Sequence, residues 1–429
     1  MKVETISIGN ELIYGRIVDT NAAFLAKRLS ENGLTVCFHT VVGDGIKDIK
    51  TALSVAVERA DIVIITGGLG PTIDDLTRQA ISEFIGKKLL FDEKLWNDIK
   101  TRLLRKSIKI SDSNKRQAMI PEGADAIKNP MGTAPGICAN HNNKIIMALP
   151  GVPSEMKFMV DDMVIPYIHE KINSLISGGK ESNLYPDRFM VIKDVNTFGI
   201  SESKLGDKIA NLMGEKRNPL VGTQASISGI KVRLSARADS QAAALTLINN
   251  TMNEVKLALG SGVYGEDEDR LEDAVFDLLK RHQMTIGIAE SCTGGQTSNL
   301  MTNVPGISEF FIEGVVTYSN SAKMKILGVP EEVLIAHGAV SPQVALAMAH
   351  GICKHACTDI GIGITGIAGP GGGTPEKPVG LVYIAVNIRG FAEVKELHFS
   401  GRRMEIKSRT AHNAINMVRI KLMEMTEKT

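Results

Sequence analysis

An excess of charge of either sign is absent from this sequence: 49 basic residues stand against 48 acidic ones, and the formal net charge is +1. No long like-charge block breaks the balance, so the electrostatic footprint of a polyanion binder is missing and nucleic acid is not the expected partner. Long apolar runs are absent too. No stretch of about 18 apolar residues occurs. The opening residues "MKVETISIGNELIYG" hold no apolar core followed by a small-residue cleavage site, so the expectation is a soluble cytoplasmic protein without membrane contact. Cysteine is scarce. Cys37, Cys138, Cys292, Cys353 and Cys357 are scattered and odd in number, which reads as reduced thiols rather than a disulfide framework. Cys353, His355 and Cys357, near His350, look metal-like, but Ala345, Met348, Ile352 and Ala356 mark an apolar helix face there, and no second ligand pair appears elsewhere. Small core cysteines are expected instead.

What is present is enough apolar sequence for real cores: 43% of 429 residues are hydrophobic and 23% charged, which implies two or three globular domains. The first part, residues 1–170, alternates strand and helix. "VETISIG", "LTVCFHTVV" and "DIVIIT" read as strands; a helix capped by Asp19 or Thr20 and ending at Gly33 lies between the first two, and "DIKTALSVAVERA" between the next. That order predicts a parallel, doubly wound sheet with ligands held by loops at the carboxyl ends of strands. Those loops are "GNELIYG", "VGDG", "GGLGPTIDDLT" and, after the strand "KIIMAL", "PGVPSEM". Residues 171–262 change texture: the loop-like "ISGGKESNLYPD" leads to an α+β pattern without concentrated chemistry, a spacer or dimerisation module. "GVYG" at Gly262–Gly265 has the form of the GxxG loop of an RNA-binding KH domain, but four acidic residues follow it and would repel phosphate, so that reading is set aside. Residues 263–429 form a second α/β domain with strands at "MTIGIAE", "FFIEGVVTYS", "DIGIGITGI", "GLVYIAVNI" and "EVKELHF". Several are antiparallel candidates, with a Ser341-Pro342-capped helix between them and a closing helix beyond Gly401. "GIGITG" fits GxGxxG but lies within a strand and is not followed by a helix, so it is no dinucleotide fingerprint.

The densest chemistry is "GIAESCTGGQTSNLM", Gly287–Met301. Ser291, Cys292 and Thr293 precede Gly294 and Gly295 where a strand becomes a helix, and unsatisfied N–H groups at a helix start offer a site for an oxyanion or phosphate. Ser291 needs a base, and no His-Asp pair has suitable spacing. "VVTYSNSAKMK" supplies Tyr318 and Lys323 at another strand-to-helix junction, and a partly buried Lys loses its proton near neutral pH. The alternatives are a Ser N-cap with a surface Lys, or Cys292 as a thiolate favoured by the helix start. In the first part, Gly67, Gly68 and Gly70 suit a phosphate-cradling turn, and Asp44, Asp74 and Asp75 are hard oxygen ligands for Mg²⁺ or a similar divalent ion bridging a diphosphate. Otherwise "IDDLT" is an acidic first helical turn.

"AESCTGG", "VVTYSNSAK", "HGAVS", "GITGIAGPGGGTPEKPVG" and "HFSGRR" resemble the C-terminal domain of the CinA (competence/damage-inducible) family. "GNELIYGRIVDTNAAFLAKRL", "TGGLGPTIDDLT", "NPMGTAPG" and "LPGVPSEM" resemble its N-terminal, MoaB/MogA-like domain. The resemblance implies a nicotinamide mononucleotide deamidase without a cofactor, in which Ser291 is the nucleophile with Tyr318 and Lys323 beside it. It places Thr293, Gly294, Gly295, Thr365, Gly366 and Arg403 against the substrate, Arg403 as a phosphate contact; Arg402 stands where the family has Asp, and Asn10 where it often has Asp. It also implies a divalent-metal-dependent ADP-ribose pyrophosphatase in the first domain, and a homodimer. The competing class is a binding or regulatory protein in competence or DNA repair, or a pterin-binding module.

Overall fold

The computed structural model describes residues 1–105, 107–170 and 189–426; the loop read at 176–187 and the boundary drawn at 171 lie outside them. The fold is mixed α/β. Eight strands precede residue 170: β1 (Lys2–Ile8), β2 (Thr35–Val42), β3 (Ile62–Thr66), β4 (Leu89–Phe91), β5 (Met119–Pro121), β6 (Asp125–Ile127), β7 (Gly136–His141) and β8 (Lys144–Leu149). Six form one sheet in the order β2-β1-β3-β8-β7-β6, while β4 and β5 pair apart from it. β1 runs parallel to β2 and β3, and β3 to β8, as the alternation predicts. The reversal at β7 and β6 is new. Along β3, Val63 and Ile65 enter one apolar cluster and Ile62 and Ile64 another. Both faces of the sheet are therefore covered, which is why this strand reads as an unbroken apolar run. Asp19 caps the helix Thr20–Glu31 by accepting the Ala22 N–H at 2.9 Å.

The next sheet has the order β10-β11-β9-β12, from β9 (Phe189–Thr197), β10 (Leu220–Ser226), β11 (Gly229–Ala238) and β12 (Val263–Glu266). Glycines 262 and 265 of "GVYG" lie at the entry to β12 and within it, not in a loop joining two helices.

The last sheet contains β13 (Ile286–Glu290), β14 (Phe311–Val316), β15 (Ile360–Gly366), β16 (Leu381–Ile388) and β17 (Phe391–His398), ordered β14-β13-β15-β16-β17. β13 is parallel to β14 and β15, and the rest is antiparallel. The carboxyl ends of three parallel neighbours, followed by Ser291, Thr317 and Ile367, thus share one edge of the sheet. "GIGITG" lies in β15: a Cβ on Gly361 or Gly363 would collide with the carbonyls of Ala349 or Ala345 on the helix Pro342–Ala356, so these glycines serve close helix-to-strand packing. Ser341 caps that helix through the Val344 N–H, 3.3 Å. The apolar face expected on it is real, since Ala345, Met348 and Ile352 are buried, but Cys353 is only half-buried and Cys357 is exposed. The expected core cysteines are thus corrected at Cys357, which forms the left-handed C-cap where the chain leaves the helix. By compactness the chain forms two units, Met1–Val191 with Ala236–Thr246 and Ile192–Ser235 with Leu247–Thr429. Among the described residues no helix is long and apolar enough to cross a membrane.

Candidate active site

Ser291 follows the fully buried strand β13 and is itself 8% exposed. Thirty-two residues later, Lys323 sits in the first turn of the helix Asn320–Leu327, whose N-cap Ser319 accepts the Ala322 N–H at 3.1 Å. This helix turns the Lys323 side chain inward until it is 1% exposed, with Nζ 3.1 Å from Ser291 Oγ, 2.8 Å from the Thr317 carbonyl and 3.4 Å from the Tyr318 carbonyl. A neutral amine has two N–H donors and one lone pair. As an ammonium Lys323 donates to all three oxygens; once neutral, it can keep its two N–H groups on the carbonyls and turn its lone pair to the Ser291 hydroxyl proton. Burial pushes the Lys323 pKa below the usual lysine value, and among the described residues no carboxylate pairs with it to restore the charge. A surface lysine beside a simple N-cap serine is thereby excluded.

Cys292 is not poised as its rival. It is 6% exposed within the apolar core, and burial, aided by the nearby Glu290, drives its pKa up to about 12, so the group is a thiol. The expectation of a thiolate at an open helix start fails because that start is already occupied. The Glu290 carboxylate, wholly buried, accepts the N–H groups of Gly295 at 3.1 Å, Thr297 at 3.1 Å and Ser298 at 2.8 Å, and the Ser298 hydroxyl at 2.7 Å. The chain's own anion fills the cradle expected for an oxyanion or phosphate at these amides. Sequence reading missed Glu290 because it is also the last residue of β13, and a strand residue gives no sign that its side chain reaches forward.

The other predicted groups are placed unevenly. The Tyr318 hydroxyl accepts from Arg403 Nη2 at 3.1 Å, and Arg403 Nη1 donates to the Gly369 carbonyl at 2.6 Å; Tyr318 meets Lys323 through its backbone only. Thr365 is buried, with its hydroxyl on the Ala339 carbonyl at 2.7 Å, and Gly366 packs against Val382 and Leu381, so both tie β15 to its neighbours. Thr293 is buried, and its hydroxyl has no partner among the described residues. Gly294 and Gly295 have φ of 61° and 90°, which shapes the turn after Ser291.

In the first unit, Asp44, Asp74, Asp75, Gly67, Gly68 and Gly70 line one cavity of about 490 Å³, together with Glu11, Gln117 and Glu155, which sequence reading did not single out. Asp75 caps the turn by accepting the Thr72 N–H at 2.7 Å and hydroxyl at 2.6 Å; Asp44 accepts the Asn10 N–H at 3.1 Å. The helix itself begins only at Thr77, so Asp74 and Asp75 precede it. Beneath the loop, Arg78 is 3% exposed and donates to the carbonyls of Leu69 and Gly70, and burial lowers its pKa to about 10. Among the described residues no three His, Cys, Asp or Glu side chains gather as a ligand set for one ion. The donor chemistry still fits a hard divalent cation of the Mg²⁺ kind, which takes one or two carboxylates and completes its shell with substrate phosphate oxygens and water.

The comparisons divide the chain as these sites do. The CinA C-terminal domain model matches residues 268–422, that of the probable molybdopterin binding domain residues 4–170, and that of the damage-inducible protein CinA KH domain residues 193–265. The CinA-like protein of Dictyoglomus thermophilum is 42% identical over 99% of this chain and 100% of its own length. The chain belongs to the CinA family. A putative competence-damage inducible protein of Acetivibrio thermocellus is 43% identical with the same coverage. Among solved structures, a competence/damage inducible protein from Agrobacterium tumefaciens is 40% identical, covering 35% of this chain and 93% of that one at a TM-score of 0.35. A CinA protein of unknown function from Thermoplasma acidophilum is 37% identical, covering 38% and 95% at 0.36. The middle match corrects the dismissal of a KH module. "GVYG" was the wrong evidence for it, being the approach to β12, yet the segment around it is of that family.

Proposed function

We propose that the C-terminal part of this CinA-family chain is a Ser-Lys amidase that hydrolyses the carboxamide of nicotinamide mononucleotide to nicotinate mononucleotide and ammonia. The observation that carries this reading is the buried Lys323 amine 3.1 Å from Ser291 Oγ, with two carbonyls occupying its N–H groups. Lys323 takes the hydroxyl proton as Ser291 Oγ attacks the carboxamide carbon. It then returns that proton to the departing nitrogen, which leaves as ammonia and yields a seryl ester. Water attacks the ester carbon as Lys323 accepts one of its protons; the acyl–Oγ bond breaks, Lys323 returns that proton to Ser291 Oγ, and the acid product loses its own proton to solvent as the carboxylate. Tyr318 and Arg403 hold each other at the rim, and the step uses no metal.

The N-terminal cavity supports a second activity, cleavage of ADP-ribose at its diphosphate. Among the described residues the amides of Gly68, Leu69 and Gly70 make no backbone hydrogen bond, because the loop's carbonyls are turned down onto Arg78. Those amides suit phosphate oxygens, and Asp44, Asp74 and Asp75 suit a cation carried in with the substrate, which would neutralise diphosphate charge. We place both activities in the cytoplasm, in a homodimer. The test is an assay of the full chain with nicotinamide mononucleotide and with ADP-ribose, each with and without EDTA. Ammonia release should survive the chelator and ADP-ribose cleavage should not. Asp75→Asn should remove the second activity only. If no divalent ion supports ADP-ribose cleavage, the N-terminal domain is a binding module.

A further inference from the structure

The turn that carries Ser291 is overlooked by a cation outside the Ser291, Lys323, Tyr318 and Arg403 set, Lys407. Lys407 lies one helical turn beyond Arg403 on the long closing helix Arg403–Thr426, so the two side chains share a face. A Cβ placed on Gly294 would lie 3.3 Å from Lys407 Nζ. The ammonium therefore stands directly over the residue that follows Ser291, Cys292 and Thr293, a position whose φ of 61° favours glycine.

The three basic side chains Lys323, Arg403 and Lys407 are committed differently. Lys323 is enclosed by two carbonyls and the Ser291 hydroxyl. Arg403 is held between the Gly369 carbonyl and the Tyr318 hydroxyl. Lys407, half-buried, makes no ion pair or hydrogen bond among the described residues, although the basic and acidic groups elsewhere on this helix do: Lys421 is paired with Glu393 and Glu424. Partly burying an ammonium without a partner is unfavourable unless a ligand supplies one. The nearest carboxylate of the turn, Glu290, is spent on four donors. Since Glu290 takes the amides of Gly295, Thr297 and Ser298, those three are closed to an anionic substrate group, and a cationic side chain over the turn is placed to read it.

We propose that Lys407 is the specificity-determining residue of the Ser291 site, binding the 5′-phosphate of a mononucleotide across Gly294. This rests on the amidase reading for the identity of the substrate, but not for the binding itself. The test uses the full chain and compares nicotinamide mononucleotide with nicotinamide riboside, which lacks the phosphate. In the Ser291→Ala background, Lys407→Gln should weaken binding of the mononucleotide by about tenfold or more, measured by calorimetry, and leave riboside binding unchanged; Lys407→Arg should restore most of the difference. In the otherwise unaltered chain, Lys407→Gln should raise KM for the mononucleotide by a similar factor with kcat within about twofold. Equal weakening for both ligands, or none for the mononucleotide, overturns the assignment. Absence of ammonia release from the unaltered chain sinks the amidase reading instead, and the calorimetry still decides the role of Lys407.

Discussion

Two loops, each leaving the carboxyl end of a central parallel strand, are built over buried charges of opposite sign. Under the turn after β13 lies Glu290, which gathers the N–H groups of Gly295, Thr297 and Ser298. Under the loop after β3 lies Arg78, which gathers the carbonyls of Leu69 and Gly70. The polarity of the buried group decides what the backbone has left to offer. A carboxylate beneath the turn consumes the amides of Gly295, Thr297 and Ser298, so in the proposed amidase the Ser291 site works mainly through side chains: the Ser291 hydroxyl, the Lys323 amine, Arg403 and Lys407. A guanidinium beneath the loop consumes carbonyls and leaves amides free for phosphate oxygens, among carboxylates suited to a metal. The proposed amide-cleaving centre in one unit and the proposed diphosphate cradle in the other thus rest on buried charges of opposite sign.

The comparison breaks most sharply at the nucleophile. Ser291→Ala and Lys323→Ala should each reduce ammonia release by a factor on the order of a thousand or more, since each removes the covalent route, and ADP-ribose cleavage should be untouched. Both activities measured on one preparation check this. Next in size is the stability of the two turns. Glu290→Ala strands buried donors and should cost roughly 3 kcal/mol or more in denaturant unfolding of its unit. Arg78→Met should cost less, about 1–2 kcal/mol, because replacing a buried cation by an apolar chain also removes its desolvation penalty; equal losses would erase the distinction drawn between the two loops.

The pH dependence sharpens the account further. In the proposed mechanism the neutral form of Lys323 is the base, and burial holds its pKa below the ordinary lysine value. The rate should therefore rise with pH and level off once that lowered pKa is passed, instead of climbing on to the pKa of an exposed lysine. The stability sign follows the same cause. Between the folded and unfolded pKa values the unfolded chain binds more protons, so Lys323 makes the fold more stable as pH rises through that window, and Lys323→Met should flatten the trend. The smallest effect belongs to Cys292→Ala. It trims a thiol from the core, leaves Oγ and Nζ in place, and should keep the rate within a few-fold.

The elements were legible because their signals are local. Apolar runs bounded by glycine marked β1, β3, β13 and β15, and Asp19 and Ser341 stood at the starts of the helices they cap. Ser291 and Lys323 were legible as a pair because each sits at a strand-to-helix junction, although their contact spans 32 residues. The rest depended on where side chains turn. Glu290 reads as a strand end and acts as a cap. Tyr318 reads as a catalytic hydroxyl, yet that hydroxyl is bound to Arg403. Cys292 reads as an activated thiol and is core. Lys407 is one basic residue in a helix with many, distinguished only by the glycine beneath it. The KH-family segment is not legible at "GVYG", because four acidic residues beside one glycine pair say nothing of the rest of the module.

The central claim is that Ser291, activated by Lys323, forms the covalent intermediate. Quenching the reaction with nicotinamide mononucleotide and mapping the adduct by mass spectrometry tests it most directly. The account predicts a nicotinoyl-nucleotide ester on Ser291 within the peptide of residues 287–301, absent from Ser291→Ala. An adduct on Cys292, or a fully active Ser291→Ala chain, would contradict it.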